Sequence, residues 1–151
     1  MASILILDDE EAMRDALRMV LEEDGHEVSE ASDGVSGIAL YRKQPTDIVV
    51  TDLIMPQKDG IETIRDLRRE FPRLKIIALS GRGGTAINAN LERAKRVGAD
   101  VTILKPCEPE EIREAIRDLM EPKHKVKQEA AAPETEAAAD TEGPSKSKSD
   151  S

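Results

Sequence analysis

Three carboxylates, a hydroxyl and an amine stand where apolar runs of this chain stop. Asp8 and Asp9 follow Ile4-Leu5-Ile6-Leu7, and Asp52 closes Val49-Val50-Thr51. Ser80 follows the run from Ile76 to Leu79, and Lys105 with Pro106 follows the run from Val101 to Leu104. If these run ends share one edge of a parallel sheet, three acids converge and repel one another unless a cation compensates them. Carboxylate oxygens are hard ligands, and they suit Mg²⁺. An ammonium at position 105 would pair with Asp52 at rest and with a phosphoryl oxygen after reaction. Ser80, followed by Gly81, adds a compact hydroxyl donor, and an X-Pro bond after Lys105 can be cis at modest cost. Together the five side chains predict a site for a divalent cation and a phosphoryl group. Taken singly they have plainer readings: Asp8 or Asp9 as a helix cap, Asp52 as a turn acid, Ser80 as a turn or cap serine, Lys105 as a solvated strand end.

The elements that must position them alternate five times. The run from Ile4 to Leu7 precedes Met13, Ala16, Leu17, Val20 and Leu21, which recur at helical spacing, with Gly25 where a C′ residue belongs. A polar strand from His26 to Ala31 follows, then a helix from about Gly34 to Lys43, stopped by Pro45. The strand Ile48 to Thr51 precedes a helix carrying Ile61, Ile64, Leu67 and Phe71, stopped by Pro72. The strand Ile76 to Leu79 leads through a Gly-rich turn into a helix with Ile87, Leu91, Ala94 and Val97, ending at Gly98. Last come the strand Val101 to Leu104 and a helix with Ile112, Ala115, Ile116, Leu119 and Met120. Apolar strands alternating with helices imply a parallel sheet covered on both faces, with right-handed crossovers that set every C-terminal strand end on one edge. Ligands of such sheets bind at that edge. The expectation is a doubly wound α/β (βα)5 domain over residues 1–121, with the polar second strand at a sheet edge.

Composition narrows the function. Tyr41 and Phe71 are the only aromatic residues among 151, so the core is expected to be aliphatic and a stacked-ring flavin or nucleobase site is disfavoured. A net charge of −9 argues against nonspecific binding to nucleic acid or anionic membrane. The single cysteine, Cys107, excludes an intrachain disulfide and suits a reducing compartment. No signal peptide and no apolar stretch near the roughly 20 residues of a membrane span is present, so a cytoplasmic protein without membrane insertion is expected. From Pro122 onward the chain is Ala, Glu, Lys, Ser and Pro, with five lysines against six acids. Such a segment buries too little to offset its ordering entropy, and residues 122–151 are expected to form a disordered tail.

Assembled in order, Leu7-Asp8-Asp9-Glu10, Thr51-Asp52-Leu53-Ile54-Met55-Pro56 with Asp59-Gly60, Ala78-Leu79-Ser80-Gly81, Gly98-Ala99-Asp100 and Leu104-Lys105-Pro106 resemble the receiver domain of two-component response regulators. The resemblance implies a flavodoxin-like sheet in the order 2-1-3-4-5 with Asp52 as phosphoacceptor. It implies that Asp52 attacks a phosphohistidine on a histidine kinase or histidine phosphotransfer protein, giving an acyl phosphate. Asp9 and Asp52 would ligate Mg²⁺ directly, Asp8 through water, and Ile54 through its backbone carbonyl. Lys105 and Ser80 would hold the phosphoryl oxygens, by positioning and electrostatics. Phosphorylation would then draw in Ser80 and shift the region from Arg82 to Val97.

Three residues depart from the family pattern. Thr102 stands where Tyr or Phe is usual three positions before the lysine, so signalling is expected to run through loop and helix movement. Ile54 offers the hydrolytic water no polar side chain, which predicts a long-lived phosphorylated form. Cys107, after Lys-Pro, is expected to pack as a small hydrophobe. Other classes fare worse. A haloacid-dehalogenase-type phosphatase needs a second acid where Ile54 stands, and Gly81-Arg82-Gly83-Gly84-Thr85 lacks the lysine of a phosphate-binding loop. A phosphorylation-independent interaction module remains the alternative. With no second core and no helix-turn-helix pattern after Met120, the expectation is a stand-alone regulator, not a turnover enzyme, that signals by binding a downstream target protein and not nucleic acid.

Overall fold

A computed structural model describes residues 1–55, 58–81 and 87–121. Its elements are β1 (Ser3–Leu7), α1 (Glu11–Glu23), β2 (Glu27–Ala31), α2 (Gly34–Lys43), β3 (Ile48–Asp52), α3 (Gly60–Glu70), β4 (Lys75–Ser80), α4 (Ile87–Val97), β5 (Val101–Leu104) and α5 (Pro109–Met120). The five strands form one sheet in the order β2-β1-β3-β4-β5. Every pairing is parallel. This is the doubly wound flavodoxin-like arrangement expected above. The anticipated tail at 122–151, Pro56 and the glycine-rich segment at 82–86 lie outside the described residues. Internal contacts divide the chain into Met1–Ile116 and Arg117–Ser151. The described part of the second unit is the end of α5 and Glu121.

Local sequence explains most element ends. Asp33 and Asp59 cap α2 and α3, each accepting the N–H three residues on, from Ser36 at 2.8 Å and Glu62 at 2.9 Å. Gly25, past the end of α1, holds φ at +91°, a region glycine enters without a Cβ penalty. One cap differs from expectation. The N-cap of α1 is Glu10, which makes no side-chain cap, while Asp8 accepts the Glu10 N–H at 2.9 Å ahead of the helix.

The central strands are buried on both faces. Along β1, β3 and β4 one alternating set (Leu5, Leu7, Val49, Ile76, Ala78) packs against α2, α3 and α4 through Ile38, Tyr41, Ile61, Ile64, Leu67 and Ala94. The other set (Ile4, Ile6, Ile48, Val50, Ile77) is equally buried, as are Leu17 and Leu21 of α1 and Ile112 and Ile116 of α5. Each such aliphatic side chain contributes roughly 1.5–3 kcal/mol. The core is not wholly aliphatic, because Tyr41 is buried and meets Phe71 edge-on at 4.7 Å. Helical spacing also overstated two stripes: Ala16 and Met120 are exposed, since each sits at the margin of its helix's buried face. The polar β2 lies at a sheet edge as its composition demands. At the other edge, β5 keeps its apolar residues only half-buried or exposed.

The segment Gly98-Ala99-Asp100 serves the edge of the sheet remote from the run-ending acids. Arg68 of α3 donates to the carbonyls of Gly98, Pro72 and Leu74 and to Oδ2 of Asp100. The same Asp100 oxygen accepts the Ile76 N–H at 2.8 Å, closing the start of β4.

Candidate functional site

β1 and β3 are neighbours with their crossovers running in opposite directions, the switch point at which open parallel sheets take up ligands. Asp8 and Asp9 follow β1 and Asp52 ends β3, so the register itself delivers the acids to that crevice. Asp8, Asp9 and Asp52 each present a carboxylate oxygen, all within 4.8 Å of one another. Asp8 and Asp52 are buried and Asp9 is exposed, leaving the cluster open on one side.

Asp8 is held at every polar atom. Its N–H donates to the Ala31 carbonyl at 3.2 Å, and its own carbonyl accepts from Nη1 of Arg14 at 2.6 Å. Oδ1 takes the Glu10 N–H and Oδ2 lies 3.2 Å from Nζ of Lys105. Lys105 also reaches Oδ2 of Asp52 at 3.2 Å, whose other oxygen accepts a long 3.4 Å bond from the Ile54 N–H. The expected Lys105–Asp52 pair is therefore a three-way contact that includes Asp8. The lysine is placed by its own backbone, which donates to the Ser80 carbonyl at 2.8 Å. The Lys105–Pro106 peptide is cis.

Ser80 stands one residue past Leu79, the register partner of Asp52, and is buried, its Oγ 3.5 Å from the Gly81 carbonyl. Ile54 is 65% exposed, with its side chain turned away from the core. Thr102 pairs with Ala78 and is half-buried. Cys107 lines an open cleft of about 360 Å³ with Glu10, Met13, Lys105 and Pro106. Burial, then the Glu111 carboxylate, pushes its thiol up, so it carries little thiolate at neutral pH.

Electrostatics separate the acid from the base. Burial raises the Asp52 carboxyl above its ordinary range, and Asp8 adds to the rise, against the opposing pull of Lys105. Burial works to lower Lys105, but the Asp52 and Asp8 carboxylates outweigh it and hold the ammonium above the usual lysine value. Three carboxylates against one ammonium leave two negative charges in excess. An all-oxygen donor set with that excess fits a hard divalent cation.

Two contributors were given no place in the site by the sequence. Arg14 of α1 bonds the Asp8 main chain. Gly60 was legible only as part of a motif. The structure shows it as the first residue of α3, resting on the Asp52 main chain and donating to the Leu53 carbonyl at 2.9 Å.

A parallel (βα)5 sheet whose switch point carries three acids and a strand-end lysine is the architecture of the receiver domains of response regulators. The chain belongs to the response regulator receiver domain family, whose sequence model matches residues 4–117. It is 32% identical over 117 residues to chemotaxis protein CheY of Halobacterium salinarum, covering 78% of this chain and 95% of that protein. Against the transcriptional regulatory protein AfsQ1 of Streptomyces coelicolor identity is 37% over 72% of this chain, which spans 46% of that longer relative. A crystal structure of a receiver domain protein from Clostridium thermocellum superposes with a TM-score of 0.75 at 29% identity, covering 83% of this chain and 99% of the other. Among the described residues no helix is long and apolar enough to cross a membrane.

Proposed function

We propose that this chain is a CheY-like response regulator in which Asp52 accepts a phosphoryl group from a phosphohistidine of a kinase or phosphotransfer protein. The observation that carries this reading is the convergence of Asp8, Asp9, Asp52 and Lys105 at the switch point of the sheet. Asp52 is the nucleophile: it alone of the three acids lies within a strand, as the last residue of β3, and it shares Lys105 with Asp8. Its carboxylate oxygen forms the new bond to phosphorus as the phosphorus–nitrogen bond breaks, and the imidazole departs with that electron pair. Lys105 supplies positive charge to the incoming phosphoryl oxygens, releasing part of its contact with Asp52 as it does so. Ser80, pinned beside Lys105 by the backbone bond between them, supplies a hydroxyl to another oxygen. The residues to hold Mg²⁺ are Asp8, Asp9, Asp52 and the Ile54 carbonyl. Bound there, the ion offsets the charge gathered between the carboxylates and the transferring group.

The phosphorylated form would act by binding a target protein, without turnover of an external substrate. In this reading the receiver unit would comprise residues 1–121, which the family match over residues 4–117 supports. Two features support protein binding over another output: similarity along 95% of a chemotaxis CheY, and a half-exposed β5 edge where Thr102 replaces the usual aromatic. Treatment with acetyl phosphate and Mg²⁺ should add one phosphoryl mass to the wild type and none to Asp52→Ala. Equal labelling of both, or labelling of neither, defeats the reading. Absence of label together with unchanged partner capture would favour the phosphorylation-independent module.

A further inference from the structure

Behind the acidic turn lies a group of half-buried charges that the phosphoryl-transfer chemistry does not use. Arg14, in the first half of α1, donates through Nη1 to the Asp8 carbonyl at 2.6 Å and through Nε to Glu30 at 2.8 Å. Glu30, on β2, receives Nη1 of Arg18 on its second oxygen. The Arg14 and Glu30 side chains expose only 17% and 20% of their surfaces, so these charge-assisted bonds are screened less than surface pairs. Asp8 lies one residue past β1, where the sheet ladder no longer fixes the carbonyl. That carbonyl belongs to the peptide plane joining Asp8 to Asp9. Turning the plane would swing the exposed Asp9 carboxylate relative to the two buried ones.

We propose that Arg14 is the positioning residue of the site: held by Glu30, its guanidinium clamps the Asp8 carbonyl, fixes the Asp8–Asp9 peptide, and so sets the affinity of the three carboxylates for a divalent cation. The inference rests on the phosphoacceptor reading and adds to it a support behind the ligands. The role needs arginine. A guanidinium presents donors in a rigid fork that meets both Asp8 and Glu30, whereas the single ammonium of lysine meets one well and the other poorly. Arg18 is the internal control. It shares Glu30, but its remaining bonds go to Glu22 at 3.0 Å and the Val28 carbonyl at 3.5 Å, away from the turn.

The test is calorimetric titration of the full chain with Mg²⁺ alone, for wild type, Arg14→Gln, Arg14→Lys and Arg18→Gln, with melting curves in parallel. Both Arg14 variants should bind Mg²⁺ roughly tenfold more weakly, the lower end of what outer-shell partners contribute. Arg18→Gln should bind as the wild type does. The Mg²⁺ concentration for half-maximal labelling by acetyl phosphate should rise in step, with the rate at saturating Mg²⁺ recovered, a split that general destabilisation does not produce. If Arg14→Gln fails to fold, Arg14→Lys, which keeps the charge, carries the test. Wild-type affinity in an Arg14 variant overturns the proposal. So does an equal loss in Arg18→Gln, which would trace the effect to the ion network alone. Failure of the wild type itself to bind Mg²⁺ would instead remove the phosphoacceptor reading, and this inference with it.

Discussion

Gly60 and Asp52 touch through their main chains: a β-carbon on Gly60 would lie 2.3 Å from the Asp52 carbonyl oxygen and 2.5 Å from Cα of Leu53. Both neighbours are backbone, so neither can swing aside as a side-chain tip would. Gly60→Ala therefore has to displace the end of β3 or the start of α3. Overpacking of this kind costs about 1–3 kcal/mol. Chemical denaturation should show that loss, and phosphorylation should slow because the displaced segment carries Asp52. Wild-type stability and labelling in Gly60→Ala would contradict the contact.

Lys105→Met tests the three-way charge contact. The substitution keeps most of the stem and removes the ammonium, leaving Asp8 and Asp52 buried without their cationic partner. Breaking such a pair costs about 3 kcal/mol near neutrality. The loss should shrink in acid, where the carboxylates take up protons. Mg²⁺ should bind more tightly, since three uncompensated negative charges face it in place of two, while phosphoryl transfer falls. Weaker Mg²⁺ binding in the variant would show that the lysine organises the acids more than it competes with the ion.

Asp52→Asn addresses the raised carboxyl. An acid whose pKa rises on folding holds its proton more tightly in the native state, so its ionisation opposes folding. The penalty is absent below the ordinary carboxylate range and complete above the raised folded value. In metal-free buffer at neutral pH, Asp52→Asn should melt several degrees above the wild type, and the advantage should vanish as the pH falls below the unfolded pKa. Adding Mg²⁺ at about 100 times its dissociation constant stabilises the wild type by about 2.7 kcal/mol and the variant by less. A variant that melts below the wild type at neutral pH without metal would contradict the assigned shift.

Ile54 is exposed two residues after Asp52 and brings no polar atom from its side chain to a water approaching that carboxylate. Ile54→Asn supplies an amide at that place and should shorten the lifetime of the phosphorylated form. Its decay after removal of acetyl phosphate measures this directly. Identical decay in the two proteins would dismiss a role for the residue.

Much of this was legible along the chain because it depends on local chemistry. Apolar runs of four or five residues ending in Asp8, Asp52, Ser80 and Lys105 needed only the strand period to be seen, and Gly25 and Pro72 punctuated their helices as local sterics require. Charge contacts that join separate elements were not legible. Arg14 shares its spacing with any solvated helix cation, and nothing adjacent to it announces Glu30 or the Asp8 carbonyl. The cap of α1 escaped for the same reason: Asp8 turns one carboxylate oxygen toward a lysine that lies 97 positions away.

The amino-acid order alone determined which residues end strands, that the strands are parallel, and hence that three acids, a hydroxyl and an amine meet at one edge. These follow from periodicity and the fixed hand of the crossovers, which no distant contact alters. Tertiary structure decided how the groups divide their bonds. It gave Lys105 to Asp8 as well as Asp52, set Gly60 against the Asp52 backbone, and put a guanidinium behind the turn that follows β1. Such choices depend on packing between elements remote in sequence, where a few tenths of an ångström separate a hydrogen bond from a clash.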